Sequence, residues 1–70
     1  MDEKLRNKIK TFIEYYEKAF KNEPRCRDWW LMQKLDESAE TLNEAFNGLF
    51  EEATYEQIYD LMLIAVRIGE

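Results

Sequence analysis

Seventy residues with a mass of 8.5 kDa allow one small domain, numbered 1–70. Lys and Arg number 10 and Asp and Glu number 15, so the net charge is -5. The chain has no histidine, which excludes Ser-His-Asp catalysis and His-ligated metals, and its single cysteine, Cys26, excludes an internal disulfide. A domain this small without disulfides needs very regular helices, or a partner, to bury enough surface.

The charge is divided unevenly along the chain. Residues 1–34 carry nine basic and six acidic side chains, whereas residues 35–70 carry nine acidic side chains and one basic one, Arg67. Because an acidic surface repels a phosphate backbone, we expect no nucleic-acid partner for the second half. The charged start of the chain and the lack of a long apolar run predict no signal peptide and no membrane span. We therefore expect a cytoplasmic protein without a membrane partner.

The first predicted helix covers about residues 2–21. Its apolar residues recur at helical spacing and form one stripe. We expect the helix to end before Pro24, because the residue that precedes a proline disfavours the helical conformation. The stripe consists of Leu5, Ile9, Phe12, Ile13, Tyr16 and Phe20.

The second predicted helix covers about residues 27–47. Its apolar residues are spaced alternately three and four apart, which is typical of a seam that packs helix against helix. Gly48 is placed to close the helix in the left-handed conformation. The seam consists of Met32, Leu35, Ala39, Leu42, Phe46 and Leu49.

The third predicted helix covers about residues 54–68, followed by Gly69 as a stop. Thr54 and Gln57 have the spacing of a capping box, in which each side chain satisfies a free backbone N–H of the first turn. The predicted core stripe consists of Ile58, Leu61, Met62 and Ala65. Three helices joined by short turns predict an all-α fold, an antiparallel three-helix bundle.

Three stripes do not use all the apolar residues of the chain. Trp29 and Trp30 fall behind the seam of the second helix, and Leu63 and Ile64 lie at the back of the third. A helix that is apolar all round needs burial on two sides, and 70 residues supply only one. The pattern therefore predicts a homodimer or a complex with another protein.

Two carboxylate pairs have the spacing of possible metal ligands. Glu37 and Glu40 lie one turn apart on the second helix, and Glu56 and Asp60 lie one turn apart on the third. If these helices faced each other, the pairs would offer the hard oxygen ligands that Mg²⁺ prefers. The same spacing is equally typical of solvated helix faces in an acidic chain, so both interpretations stay open.

The two acidic helices resemble those of a known family. The segments QKLDESAETLNEA, residues 33–45, and YEQIYDLMLIAVRIG, residues 55–69, are similar to the two metal-binding helices of MazG-like all-α nucleoside triphosphate pyrophosphohydrolases. The resemblance covers about residues 29–69. It implies Mg²⁺ ligands at Glu37, Glu40 and Asp60, with Gln57 at the position of a fourth glutamate and Glu56 as a substitute.

The favoured hypothesis is a small acidic regulator or inhibitor, of the kind carried by phages and mobile elements, which acts by docking on a partner protein and needs no cofactor. The alternative is a Mg²⁺-dependent MazG-like pyrophosphohydrolase, or a degenerate relative of one, so enzymatic activity is left open. Tryptophan is enriched at binding hot spots, and acidic side chains beside it favour a basic partner. The predicted partner-binding residues are Trp29, Trp30, Glu37, Glu40, Glu44, Leu63 and Ile64.

Overall fold

The structure is a computed structural model that describes residues 2–24 and 28–68. It contains three α-helices: α1, Glu3–Phe20; α2, Trp29–Ala45; and α3, Tyr55–Ile68. The described residues contain no strand, so the prediction of an all-α three-helix fold is confirmed. The predicted start of the second helix at residue 27, the predicted stop at Gly69 and the single Cys26 lie outside the described residues.

Aromatic contacts fix the directions of the helices. Trp30, at the start of α2, packs against Tyr15 near the end of α1, with ring centroids 6.4 Å apart, so α2 returns antiparallel to α1. The first turn of α3 places Tyr55 against Phe12, at 6.1 Å, so α3 starts beside the middle of α1. One turn later, Tyr59 stacks on Tyr16, with centroids 4.4 Å apart, which shows that α3 runs parallel to α1. The result is an up-down-up bundle.

The first helix is the centre of this bundle. It packs against both α2 and α3, which touch each other much less. Ile9 and Phe12 of α1 and Leu35 and Leu42 of α2 are completely buried. Because α2 and α3 both pack on α1 and touch each other little, the side where they face one another stays partly open.

The core stripe of α3 differs from the predicted one. Ile58 and Met62 are buried as expected, but the third buried residue is Tyr59, and the predicted core residue Leu61 is half exposed. The buried face is therefore rotated around the helix relative to the prediction. Tyr59 can occupy the core because its ring stacks on Tyr16 while its hydroxyl donates to Glu17 Oε2 at 2.8 Å.

The end of α2 also differs in detail from the prediction. The left-handed residue that closes the helix is Asn47, with φ of 58°, and Gly48 follows with φ of 81°. The N–H of Gly48 donates to the carbonyl of Asn43, and the N–H of Asn47 to that of Glu44, which is the Schellman pattern. The helix thus stops earlier than predicted, and Leu49, predicted as the last seam residue, is 70% exposed.

Side-chain caps fix the starts of α2 and α3. The carboxylate of Asp28 accepts from the N–H of Leu31 at 2.8 Å and so caps α2. The predicted capping box at α3 is present: the N–H of Thr54 donates to Gln57 Oε1 at 2.9 Å, and the N–H of Gln57 donates to Thr54 Oγ1 at 3.1 Å. Gln57 therefore caps the start of α3.

Candidate functional site

Large apolar side chains are exposed in three places among the described residues: at the start of α2, at Leu49 in the connection after α2, and along one side of α3. On α3, Leu61, Ile64 and Ile68 are spaced three and four residues apart, so they form one line, which we call the α3 stripe. Ile68 is 81% exposed and Ile64 is 55% exposed. Leu63, which the sequence grouped with Ile64, is half-buried and packs against the core.

The two tryptophans of α2 point in different directions. Trp30 lies edge-on against Tyr15 of α1, and Lys34 Nζ lies 5.9 Å from the centre of its ring. Trp29 is 75% exposed. It precedes Asp36 by seven residues, so it lies on the same side of α2 as this residue, which bonds to α3. Only Trp29 therefore lies on the side of α2 that faces α3.

A cleft opens between α2, the connection after it and the first half of α3. It consists of two adjoining hollows, of about 330 and 460 Å³, which share Phe50 and Ala53. Phe50 is buried, and its N–H donates to Asn43 Oδ1 at 2.7 Å, which fixes the connection against α2. Leu49 and Leu61 extend this apolar floor to the beginning of the α3 stripe. The floor is thus continuous from the connection onto the exposed side of α3.

The rim of the cleft is acidic. Asp36, Glu40 and Glu51 line the first hollow and Asp60 lines the second, and the described lining contains no Lys or Arg. This apolar floor and its four carboxylates form the acidic cleft. The hydroxyl of Tyr55 donates to Asp36 Oδ1 at 2.5 Å and links the two walls.

Burial and nearby carboxylates raise the pKa of two tyrosines of the bundle. Burial, the hydrogen bond to Asp36 and the negative charges of Asp36 and Glu40 raise the pKa of Tyr55 to about 12. Burial, with the negative charges of Glu56 and Asp60, raises the pKa of Tyr16 above its ordinary value of 10.0. Both phenols stay protonated at neutral pH, and the phenol of Tyr55 donates to Asp36.

The predicted acidic binding face of α2 is exposed, but only one of its members borders the cleft. Glu40 lines the first hollow. Glu37 accepts from Lys34 Nζ at 3.4 Å on the surface of α2. Glu44 is exposed near the end of the helix. Glu40 therefore lines the cleft together with Asp36 and Glu51, whereas Glu37 and Glu44 do not line it.

Four carboxylates are predicted Mg²⁺ ligands: Glu37, Glu40, Glu56 and Asp60. Within the described residues, no three acidic side chains are grouped closely enough to hold one metal ion. Glu40 acts on Tyr55 at the α2 side of the bundle, whereas Glu56 and Asp60 act on Tyr16 of α1. Glu37 is engaged with Lys34. A Mg²⁺ site at these carboxylates stays a prediction from their spacing.

Several residues of the cleft were not predicted as site residues, namely Asp36, Leu49, Phe50, Glu51, Tyr55 and Leu61. Leu49 and Leu61 fit a regular helical seam, so their spacing predicts burial, and only the early end of α2 and the rotated face of α3 expose them. A usable signal is the apolar pair Leu49 and Phe50, which directly follows a glycine and is directly followed by two glutamates.

Comparisons of the chain with protein-family models, with curated proteins and with solved structures find no match. The resemblance to MazG-like enzymes therefore stays a prediction from the two helix motifs. Among the described residues, no helix is both long enough and apolar enough to cross a membrane.

Proposed function

We propose that this protein is a non-catalytic interaction module that regulates or inhibits another protein by docking on it. The observation that carries the proposal is the α3 stripe, which leaves Ile64 and Ile68 largely in water next to the acidic cleft. Exposed apolar surface that is contiguous and bordered by polar groups marks interaction sites in small soluble domains. Trp29 adds an aromatic anchor on the α3-facing side of α2.

The charge of this surface supports a basic partner. The acidic cleft carries four carboxylates, and the only basic side chain after residue 34 is Arg67. A field of one sign attracts an oppositely charged surface and repels competitors of its own sign, which favours fast and selective association. No contact among the described residues favours the pyrophosphohydrolase alternative, so it stays a prediction.

Site-specific photo-crosslinking in the source cells tests the proposal. A photoreactive amino acid at Ile64 should capture one defined protein, whereas the same group at Asn7, on the exposed surface of α1, should not. The captured protein is then purified and its activity is measured with and without this chain. A change of activity that disappears with Ile64→Glu supports a regulator. Absence of a crosslink at Ile64, Leu61 and Trp29, or an unchanged activity of the captured protein, would refute it.

A further inference from the structure

Three features of the acidic cleft together define what fits it: its shape, its apolar floor and its charge. The first hollow lies between α2, which supplies Asp36 and Glu40, and the start of α3. The second hollow lies between the connection and α3, which supplies Leu61. Both helices pack on α1 and only weakly on each other, so the groove between them lacks the helix that would close a four-helix bundle. A groove between two helices accepts the ridges of a third helix.

The length of the apolar line sets the length of the occupant. From Gln57, at the edge of the second hollow, to Ile68, the line follows α3 for roughly 16 Å at 1.5 Å per residue, or about three turns. Leu61, Ile64 and Ile68 are spaced for contact with apolar residues that recur every three or four positions on a facing helix. The floor therefore matches an amphipathic helix of about three turns.

The rim sets the charge of the occupant. Asp36, Glu40, Glu51 and Asp60 surround the floor, and no cation lines the described cleft. A helix with Lys or Arg beside its apolar residues would place these cations against the carboxylates. A helix with acidic flanks would meet four like charges, which is unfavourable.

A second copy of this chain fits the cleft poorly. Its exposed apolar stripe begins at the acidic cleft, beside Asp60, so pairing two stripes over the cleft brings like charges together. The second copy could instead dock through its more basic end, around Trp30, Lys18 and Lys34. Its own acidic cleft would then stay free for a further copy, and such head-to-tail contacts build an open filament, not a closed dimer.

We propose that the acidic cleft binds a basic amphipathic α-helix of a different protein, which docks between α2 and α3 as the fourth helix of the bundle. This proposal rests on the proposed function, because it names the element of the partner that the surface recognises. The apolar side of that helix covers Phe50, Leu61 and the α3 stripe, and its cations face Glu40 and Glu51.

Two synthetic peptides of about 16 residues test the proposal with the intact protein. Both carry Leu at the same helical spacing of three and four, and one has Lys and the other Glu at the flanking positions. Fluorescence anisotropy should show that the Lys peptide binds at least tenfold more tightly than the Glu peptide, because the carboxylates of the cleft attract Lys side chains and repel Glu side chains. Affinity for the Lys peptide should fall several-fold between about 50 and about 500 mM salt.

Matched variants locate the binding surface. Glu40→Gln with Glu51→Gln should weaken binding of the Lys peptide about four- to twenty-fivefold, since each exposed pair changes affinity by roughly two- to fivefold. Glu3→Gln with Glu14→Gln changes the net charge equally on the outer side of α1 and should change affinity less than about twofold. Leu61→Ser should weaken binding at least about tenfold. Trp30→Gln, on the α1 side of α2, should leave affinity within about twofold.

Circular dichroism verifies that each variant keeps its helical signal, so that a loss of affinity reports the surface. Equal affinity for the two peptides, no binding of the Lys peptide, or equal losses in the cleft and control variants would each overturn the inference. Self-association abolished by Leu61→Ser would also overturn it, because a second copy would then occupy the cleft. A partner captured at Ile64 that inserts no basic helix would overturn this inference while the proposed function stands.

Discussion

Tyr59 is the residue that most clearly connects the core of this protein to its charged surface. Its ring is buried against Tyr16, and its hydroxyl reaches out to donate to Glu17 at the surface of α1. Burial, the hydrogen bond to Glu17 and neighbouring negative charge raise the pKa of Tyr59 to about 12. One side chain thus supplies both core packing and a cross-helix polar link.

Tyr59→Phe keeps the ring and removes the hydroxyl. We expect it to lower the free energy of unfolding by about 1 kcal/mol, because the half-buried carboxylate of Glu17 loses its phenolic donor. Urea unfolding monitored by circular dichroism measures the change. Tyr15→Phe is the control, since it leaves the Glu17 contact in place, and it should cost less than about 0.5 kcal/mol. Equal losses in the two variants would contradict the assignment.

The raised pKa values of Tyr55 and Tyr59 predict a loss of stability in alkali. Each is about 12 in the folded protein and 10.0 in the unfolded chain, so the unfolded chain releases these protons first. The stability that the two groups contribute is complete below pH 10 and is lost between pH 10 and 12.

Urea unfolding at about pH 9 and about pH 11 measures this loss. The wild type is compared with the double variant Tyr55→Phe and Tyr59→Phe, which should lose less stability over the same interval. An equally steep fall in the double variant would show that the phenols are not responsible.

At the level of the helix, the start of α3 depends on two reciprocal bonds between Thr54 and Gln57. Thr54→Ala should lower the free energy of unfolding by about 1 kcal/mol, because the N–H of Gln57 loses its acceptor. Gln57→Glu should retain the cap, since a carboxylate accepts the same bond and suits the positive end of a helix. Thermal unfolding compares the variants, and an equal loss in both would contradict the capping role.

The end of α2 provides a second test at this scale. Asn47 has a φ of 58°, a conformation that glycine adopts freely and alanine does not. Asn47→Ala should therefore lower the free energy of unfolding by about 1 kcal/mol, whereas Asn47→Gly should leave it unchanged within about 0.5 kcal/mol. Urea midpoints that rank Ala above Gly would be inconsistent with a left-handed cap at this residue.

At the scale of the whole molecule, the sequence predicts self-association. The homodimer predicted from the unused apolar residues stays a prediction, and the α3 stripe is the surface that such a dimer would use. Because the stripe begins at the acidic cleft, screening of like charges should strengthen a dimer that covers the cleft at high salt, whereas binding of a basic helix should weaken.

Sedimentation equilibrium at about 50 and about 500 mM salt measures this dependence. Ile64→Ser with Ile68→Ser should abolish the dimer while changing stability by less than about 0.5 kcal/mol per site, since both side chains are already exposed. A monomer at every concentration and salt would show that the stripe does not pair with itself.

Fold class and helix number followed from local patterns alone. The stripe of α1 and the capping box at Thr54 and Gln57 depend on residues three or four apart, and both were correctly predicted. The face of α3 was not predictable in this way, because Leu61 and Tyr59 both fit helical spacing. The stacking of Tyr59 on Tyr16 and its bond to Glu17, 42 residues away in sequence, decide which of them is buried.

By itself, the sequence determined three amphipathic helices, an acidic second half and an excess of apolar residues over what one small core can bury. Each of these depends on composition or on neighbours within a turn. Only the tertiary structure decided that α1 is central, that α2 ends before Leu49 and that α2 and α3 stay apart. The central position of α1 arises from contacts between distant segments, such as those of Tyr15 with Trp30 and of Phe12 with Tyr55. The bond of Phe50 to Asn43 holds the connection against the end of α2. The acidic cleft is the space that remains because α2 and α3 both pack on α1 and touch each other little.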